Sequence, residues 1–544
     1  MNTWSRGQAV PAARRGLLIC TGLLAGIAHA QPATPREETL IAWLATNPST
    51  LCYWLDRRDA YTLRFSDIIA ESLAQRDYET PDRWIPRLAE RFEVGPDRRT
   101  FTFHLRKGVK FHDGTLFTAD DVLFAFESLR NPKLECSKWA KALADLDGTP
   151  RKLDEQTIVF RWKTPYFKAF EVIATVPIFP AAALRFSPGG EDQFNNNQFH
   201  RQIIGTGPYK FAEWTQNDKL VLRRNDDYWG EKPQVAEIRY LIVKDPEAAF
   251  QMFLKGDIDV CQLSPKQWEN LHANPALLAT FGTERIARMA SFQIYWNNRR
   301  APLNDARVRR ALSHLVPRPR FIKNVLGSFA EPVTGPFFFK SPAYNVDLPP
   351  IELSQETAAN LLAAAGWEDH DGDGFLDQNE RRLEVTLLHA AGVSTWRDFG
   401  DLFKEELATA GIVLNVLPVE WNTLLSRAES HDFDGYVTGG TYDWDVDAYE
   451  NWHSDLIDRG GNVTGYRNPA VDELILQARQ TLDSAERASL NRRIHQLIYE
   501  DQPCTFLHTP IDLWAWNKRY NIRFYNYYPS SDLRRVTINR EPAK

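Results

Sequence analysis

Short runs of alternating apolar and polar residues, separated by helical patterns, make up the first half of the chain. TLIAWLAT (39–46) is predicted to be an opening strand, and TIVFRW (157–162) a later one. Between them, TFTFHL (100–105) alternates strictly and is also predicted to be a strand. Thr118 and Asp121 have the spacing of a capping box, so a helix is expected to begin there.

The second half repeats this interleaving of strands and helices. SFQIYWNN (291–298) and LEVTLLHA (383–390) are predicted strands, and a helix is expected directly after Asp305. DFGDLFKEELATAG (398–411) has apolar residues at helical spacing and ends in a glycine, as helices commonly do. Strands that alternate with helices along a chain favour the α/β fold class.

Length and composition narrow the class of protein. A chain of 544 residues is too long for one hydrophobic core, so two or more domains are expected. The net charge of −6 gives no argument for binding nucleic acid or an anionic membrane. Aromatic residues make up 12% of the chain, with 17 tryptophans. Much of that content must be core, and the remainder suits the walls of a binding cleft.

The N-terminus has the pattern of a secretory signal peptide. Its basic residues are Arg6, Arg14 and Arg15. Residues 17–27 form an apolar stretch too short to span a membrane, and Ala28-His29-Ala30 is a typical cleavage site. The mature chain is therefore expected to begin at Gln31 and to be exported, with the signal peptide (1–30) removed after Ala30. No later apolar run reaches the length of a spanning helix.

The mature chain keeps four cysteines: Cys52, Cys136, Cys261 and Cys504. In an oxidising compartment this even number permits two disulfides, in three connectivities. No pair has the spacing of a zinc or redox motif. Four free, buried thiols are the alternative, and the sequence alone leaves both open.

DHDGDGFLDQNE (369–380) has the spacing of an EF-hand calcium loop. The candidate oxygen ligands are Asp369, Asp371, Asp373, Asp377 and Glu380. An EF-hand needs a helix on both sides, but here a predicted helix precedes the loop and a predicted strand follows it. This excludes a calcium sensor. Two interpretations remain: a structural calcium site, or a turn that uses Asp and Gly for turn chemistry alone.

Motifs of exported hydrolases are missing from the sequence. There is no GxSxG nucleophile elbow, no HExxH and no paired-histidine metal pattern. GTGPYK (205–210) begins like a dinucleotide-binding loop but lacks the third glycine. The chain is therefore not expected to be an enzyme.

Four segments, in order and at matching spacing, resemble the family 5 extracellular solute-binding proteins, the peptide- and nickel-binding class that serves ABC importers. They are FTFHLRKGVKFHDGTLFTADDVLFAFESL (101–129), GTGPYKFAEWTQNDKLVLRRNDDYWG (205–230), WNNRRAPLNDARVRRALSHLVPR (296–318) and GNVTGYRNPAVDELI (461–475). The resemblance extends from about Thr39 to the C-terminus. The calcium-like loop lies where many members have a turn of similar composition.

The resemblance implies a two-lobed, Venus-flytrap α/β fold with an extra subdomain in lobe I. Lobe I would comprise residues 31–287, with the subdomain at about 65–200, and lobe II residues 288–505. The chain would then return to lobe I over 506–544. Two strands, near 291–297 and 504–509, would cross between the lobes. Cys52 and Cys261 would both lie in lobe I, which makes them the expected disulfide pair.

Peptide-binding members of the family commonly pair an aspartate in a lobe II loop with the α-amino group of the ligand. The matching region, GGTYDWDVDAYENWHSD (439–455), carries Asp443, Asp445 and Asp447. The family's proline after the second aspartate is absent, so the register is open by a residue or two. Asp443 is the predicted amine-binding residue, since a carboxylate in a cleft drained of water attracts an ammonium strongly. A metal site or a solvated loop is the alternative.

Five further residues are candidates for the ligand cleft. Tyr442 and Trp444 flank Asp443, and Trp421 matches a family position near the cleft; each could instead belong to the core. Arg397 could hold a ligand carboxylate with its planar fork. Asn297 lies by the expected crossing strand and would line the hinge side.

Together these observations predict a periplasmic, monomeric receptor that captures a peptide-like solute and delivers it to an inner-membrane ABC permease. No cofactor is expected apart from the calcium considered above. A binder of a nickel chelate or of an oligosaccharide for an ABC importer is the alternative, as is a domain that signals through a receptor. Histidine-rich tracts are absent, although a small chelate would need few protein ligands.

Overall fold

The computed structural model describes residues 34–185, 189–526 and 530–539. The predicted signal peptide lies outside the described residues. In the described part the chain forms two lobes of mixed α/β structure, joined by crossing strands. No helix within these ranges is both long and apolar enough to cross a membrane.

Lobe I contains twelve strands and nine α-helices among its described residues. The strands are β1 (Thr39–Leu44), β2 (Ala74–Arg76), β3 (Trp84–Pro86), β4 (Ala89–Val94), β5 (Thr100–Leu105), β6 (Arg151–Asp154), β7 (Thr157–Arg161), β8 (Tyr209–Thr215), β9 (Lys219–Arg224), β10 (Glu237–Ile242), β11 (Val260–Leu263) and β12 (Phe281–Ala287). The helices are α1 (Ala60–Ile69), α2 (Ala119–Leu129), α3 (Ser137–Ala142), α4 (Ala169–Ala174), α5 (Ala181–Leu184), α6 (Glu191–Asn195), α7 (Pro246–Lys255), α8 (Pro265–His272) and α9 (Pro275–Thr280).

Lobe II and the C-terminal return follow in the same alternating manner. The strands are β13 (Ala290–Trp296), β14 (Ala330–Pro332), β15 (Asp377–Gln378), β16 (Arg381–Arg382), β17 (Glu384–Ala390), β18 (Val413–Val419), β19 (Gly435–Thr441), β20 (Cys504–Asn517), β21 (Tyr520–Asn521) and β22 (Thr537–Ile538). The helices are α10 (Ala306–His314), α11 (Arg318–Asn324), α12 (Gln355–Ala364), α13 (Ser394–Thr409), α14 (Trp421–Glu429), α15 (Tyr449–Trp452), α16 (Pro469–Gln480) and α17 (Ser484–Asp501).

Three larger sheets organise these elements. A four-stranded sheet in lobe I has the order β1-β10-β9-β8, and a second one, β4-β5-β7-β6, forms the subdomain. The third, of eight strands, has the path β11-β20-β13-β19-β17-β18, with β12 and β14 also paired to β20. Thr118 caps α2 and forms the predicted capping box with Asp121, which confirms that helix start.

Strand β20 passes from one lobe to the other. Its first residues pair with β13 of lobe II, and its last seven pair with β12 of lobe I. Arg288, between β12 and β13, donates from Nε to Asp512 of β20 at 3.1 Å, which holds the two crossing segments together. The hinge therefore consists of two adjacent crossing segments, a common arrangement where lobes close around a ligand.

The four described cysteines are free and buried. The expected Cys52–Cys261 disulfide is wrong, because the two residues pack into different hydrophobic cores of lobe I. Burial raises the pKa of both thiols to about 12, so they stay protonated at neutral pH.

Candidate functional site: a cleft between the lobes

A cavity of about 550 Å³ lies between the lobes, with walls from both. Cavities of this order hold small organic ligands. The polar and charged lining includes Lys138, Lys141, Asp145, Tyr166 and Lys168 from the subdomain of lobe I, and Tyr442, Asp443, Asp447, Glu450 and Arg479 from lobe II. Charges of both signs therefore line the same cleft.

Strand β19 leads directly into the segment that carries Asp443, Asp445 and Asp447, and so positions it at this cleft. Directly after the strand, the backbone N–H of Tyr442 donates to the carbonyl of Met289 at 2.8 Å. The Tyr442 hydroxyl is hydrogen-bonded to that of Ser291 on β13. Met289 lies in a crossing segment, and Tyr442, which is bonded to it, directly precedes Asp443. Asp443 therefore lies beside the hinge, where movement of the lobes changes its surroundings most directly.

Asp443 forms an ion pair across the cleft with Lys168 of lobe I. The Lys168 side chain is 12% exposed, whereas that of Asp443 is 61% exposed and lines the cavity. The Lys168 ammonium holds the pKa of the Asp443 carboxyl below its usual value. Burial lowers the pKa of Lys168, but Glu171 and Asp443 more than offset this, so its pKa is raised and it stays protonated.

The two neighbouring aspartates have other partners. Asp445 accepts from Nε of Arg487 at 3.1 Å, and this pair is internal to lobe II and largely buried. Asp447 accepts from Nε of Arg479 at 3.0 Å and from the hydroxyl of Tyr166 in lobe I at 2.8 Å. Asp443 is thus the member of the three whose carboxylate is most open to the cleft.

Further contacts hold the lobes in a closed arrangement. Lys141 of lobe I pairs with Glu450 of lobe II at 2.7 Å between Nζ and Oε1. The backbone N–H of Phe167 donates to the carbonyl of Arg479 at 3.0 Å. These contacts join the subdomain to lobe II.

Tyr442 and Asp443 are the predicted site residues that the structure places in the cleft lining. Trp444 lies beside them and bridges the lobes through Nε1, which donates to Asp82 at 2.9 Å. The three remaining candidates lie elsewhere, and each has a different role.

Trp421 is the first residue of α14 and is 46% exposed on the surface. Arg397 is exposed on α13 and pairs with its neighbour Asp398 at 3.0 Å. Asn297 is 2% exposed, and its amide donates to the carbonyls of His431 and Phe433 at 2.8 and 2.9 Å. Asn297 therefore fixes backbone in lobe II, and none of the three faces the cavity in this closed form.

Sequence reasoning missed the lobe I side of the cleft. Lys141, Tyr166 and Lys168 belong to no motif, and Lys168 lies 275 residues before its partner Asp443. Only the docking of the subdomain on lobe II brings them to the site. The YFKAF sequence at 166–170 carries no signal that distinguishes it from an ordinary amphipathic segment.

The calcium-like loop lies apart from the cleft. Asp369, Asp371 and Asp373 converge, with one carboxylate oxygen from each within 4.8 Å of the others, and all three are exposed. Asp377 and Glu380 are not part of this group. The Asp369 carboxylate accepts from the backbone N–H groups of Gly372 and Gly374, as turn chemistry requires. Calcium binding at the loop stays a prediction.

Comparison with known proteins agrees with this architecture. The solved structure of the oligopeptide-binding protein AppA from Bacillus subtilis in complex with a nonapeptide is similar, with a TM-score of 0.74 at 26% identity over 92% of this chain and 99% of that chain. In sequence, the oligopeptide-binding protein AppA of Bacillus subtilis (strain 168) is 29% identical over 457 residues, 82% of this chain and 81% of the relative.

The glutathione-binding protein GsiB of Pectobacterium atrosepticum is 26% identical over 520 residues, 92% of this chain and 94% of the relative. A family model described as bacterial extracellular solute-binding proteins, family 5 Middle, matches residues 83–457, more than half of the chain. The two-lobed fold, the crossing strands and this match lead to one conclusion: the chain belongs to the family 5 bacterial extracellular solute-binding proteins.

Proposed function

We propose that this protein is a periplasmic receptor that encloses a peptide-like solute between its lobes and delivers it to an inner-membrane ABC permease. The observation that carries the proposal is the Asp443 carboxylate, which opens to an interlobe cavity of about 550 Å³ at the level of the hinge. In this position a carboxylate is suited to hold the free amino group of a peptide.

Closure explains how such a ligand would be retained. Contacts such as Lys141 with Glu450 and Tyr166 with Asp447 form only when the subdomain docks on lobe II. A ligand that touches both lobes adds to these contacts and shifts the equilibrium towards the closed form. Removing water from the cleft also strengthens each charged hydrogen bond inside it. Release then requires the lobes to open, which is the step assigned to the permease.

Two relatives support a peptide-like ligand, because they are named for oligopeptide and glutathione binding. The remaining parts of the proposal follow from the sequence. The protein performs no chemistry on its ligand and does not bind nucleic acid, in keeping with the absence of hydrolase motifs and a net charge of −6. It acts as a monomer after export and removal of the signal peptide at Ala30.

A nickel chelate or an oligosaccharide is the alternative ligand class. Among the described residues, the cleft lining includes neither histidine nor cysteine, so a metal would have to arrive already chelated. Partly exposed aromatic residues such as Tyr166, Tyr295 and Tyr449 line the cleft and could stack on sugar rings. The charged groups around Asp443 favour a ligand with a free amine over a neutral sugar.

The test is a binding experiment on protein freed of ligand by unfolding and refolding. Thermal unfolding is measured with a library of tripeptides, with the same library after N-acetylation, with maltotriose and with a nickel–histidine complex. The free tripeptides should raise the Tm, and acetylation should weaken binding by about tenfold or more, since a charge-assisted hydrogen bond contributes roughly 1.5–3 kcal/mol.

The Asp443→Asn variant should bind tripeptides with free amino groups no better than the acetylated ones. The control is Asp398→Asn, which should behave as wild type because Asp398 is an exposed residue outside the cleft lining. The proposal is overturned if the sugar or the nickel complex raises the Tm and no peptide does.

A further inference from the structure

A second cavity, of about 220 Å³, lies within lobe I. It is bounded by α1, β1, β10, β11, the lobe I part of β20 and the C-terminal return. The described residues of its lining all belong to lobe I, and none of them also lines the cleft between the lobes. The recognition of a solute in the cleft therefore does not account for this cavity.

Two polar side chains of α1 line the cavity from the same face of the helix. Tyr61 and Arg64 are three residues apart, which makes them neighbours on the helix surface. Among the described residues, neither the Tyr61 hydroxyl nor the Arg64 guanidinium has a hydrogen-bond or ion-pair partner, and both side chains are partly exposed. The cavity is thus lined by a free hydroxyl and a free guanidinium that can donate to the same ligand.

The charges around the cavity leave that of Arg64 in surplus. Asp67 and Asp532 also belong to the lining, but both are paired with arginines. Nε of Arg534 lies 2.7 Å from Oδ1 of Asp532, and its Nη2 lies 3.6 Å from Oδ2 of Asp67. Arg535 adds a further contact, at 3.4 Å from Nε to Oδ2 of Asp532. Three arginines therefore accompany two aspartates, and an anion would balance the remaining positive charge.

Aromatic rings form much of the remaining wall. Trp43 and Trp514 line the cavity together with Tyr240. Trp514 is 9% exposed, and its ring stacks on that of Phe524 with 5.2 Å between the centroids, so its position is fixed by packing. A flat apolar body gains contact area against such rings, which a hydrated inorganic ion does not.

We infer that this cavity is an accessory binding site for a small organic carboxylate with a flat, apolar body, of which the aromatic acids are the simplest class. The carboxylate accepts from the Arg64 guanidinium, whose planar fork matches it, and from the Tyr61 hydroxyl. The apolar body packs against Trp43 and Trp514. This inference goes beyond the proposed function, because the site involves neither the cleft nor Asp443.

A titration of the exported protein with 4-fluorobenzoate, followed by fluorine NMR, tests the inference. The probe should bind at one site per chain. Its neutral analogue, 4-fluorobenzamide, has the same ring and should bind about tenfold or more weakly. Sulfate at equal concentration should not displace the probe. An absence of binding, equal affinities for the two probes, or displacement by sulfate would overturn the inference.

Variants of Arg64 locate the site. Arg64→Met should weaken the binding of 4-fluorobenzoate about tenfold or more and leave that of 4-fluorobenzamide unchanged, whereas Arg64→Lys keeps the charge and should retain a preference for the acid. Because Arg64 has no hydrogen-bond or ion-pair partner among the described residues, both variants should keep the wild-type Tm. Arg201→Met is the matched control. Arg201 is an exposed arginine of lobe I that lies over the Trp214 ring, outside the cavity lining, and its variant should bind as wild type.

Lys168→Met distinguishes this cavity from the cleft, which also offers cations. Loss of the probe in Arg64→Met, with wild-type binding in Lys168→Met, supports the inference. Loss in Lys168→Met with binding retained in Arg64→Met would place the probe between the lobes and overturn it. Neither result affects the proposed function, because Asp443→Asn should bind the probe as wild type while it loses the preference for free tripeptides.

Discussion

Gly439 of β19 lies opposite Phe292 of β13, and the close approach of these strands requires that position to have no side chain. A Cβ atom on Gly439 would lie 2.4 Å from Cδ1 and Cε1 of Phe292 and 2.9 Å from the carbonyl oxygen of Ser291. Since these distances are far below van der Waals contact, Gly439→Ala forces either the ring or the strand to move.

The Phe292 ring has little freedom to move away. Its centroid is 5.2 Å from that of His508, on which it stacks, and 5.1 Å from that of Trp396. Overpacking of this kind costs about 1–3 kcal/mol. For a folding unit of about 150–250 residues, the size of lobe II, that corresponds to a Tm lower by roughly 2–12 °C.

The assay is thermal unfolding of ligand-free protein, with Gly440→Ala as the matched control. Gly440 is the next residue on the same strand, but a Cβ there meets nothing within 4 Å. Its alanine variant should stay within about 0.5 kcal/mol of wild type. An equal Tm for the two variants, or a lower Tm for Gly440→Ala, would refute the steric role of Gly439.

Three further predictions concern the charged and thiol groups. Asp445→Asn should lower the free energy of unfolding in urea by about 3 kcal/mol, because Arg487 is 5% exposed and would keep carbonyl oxygens and the Phe167 ring as neighbours but lose the charge of its paired carboxylate; an unchanged midpoint would contradict this. The ion pair with Lys168 lowers the pKa of Asp443 below its usual 3.8 in the closed form. The stabilisation of the closed form by this ion pair is therefore fully present above pH 3.8 and is lost as the pH falls through the lowered pKa. Small-angle scattering should therefore show ligand-free protein expanding under acid while its circular dichroism is unchanged, and Lys168→Met should remove that transition. The four buried cysteines should resist alkylation in the native state and all react once the protein is unfolded without reductant; a mass that shows two unreacted cysteines would reveal a disulfide.

Local signals in the sequence were sufficient for much of the fold. The capping box at Thr118 and the alternation in β5 depend on neighbouring residues, and both are confirmed. The second crossing strand was predicted only near 504–509, whereas β20 continues to Asn517. Its continuity depends on pairing with β11, β12, β13 and β14, which are distant in sequence. Pairing between strands that are distant in sequence cannot be inferred from the local residue pattern.

The site was harder to predict than the fold. Three alternating aspartates look equivalent in sequence, and only their arginine and lysine partners distinguish the open carboxylate of Asp443 from those of Asp445 and Asp447. Trp421 and Arg397 have residue types suited to a cleft, but a residue type does not reveal the direction of a side chain. Lys168 could not be found at all, because its position depends on how the subdomain docks against lobe II.

The central claim is that the cleft holds a peptide-like solute through its free amino group. The most direct measurement is mass spectrometry of the small molecules released when protein purified from a periplasmic extract is denatured. Wild-type protein should release short peptides with free amino groups, and Asp443→Asn should release none. A metal chelate or a sugar in their place, or peptides retained equally by Asp443→Asn, would contradict it.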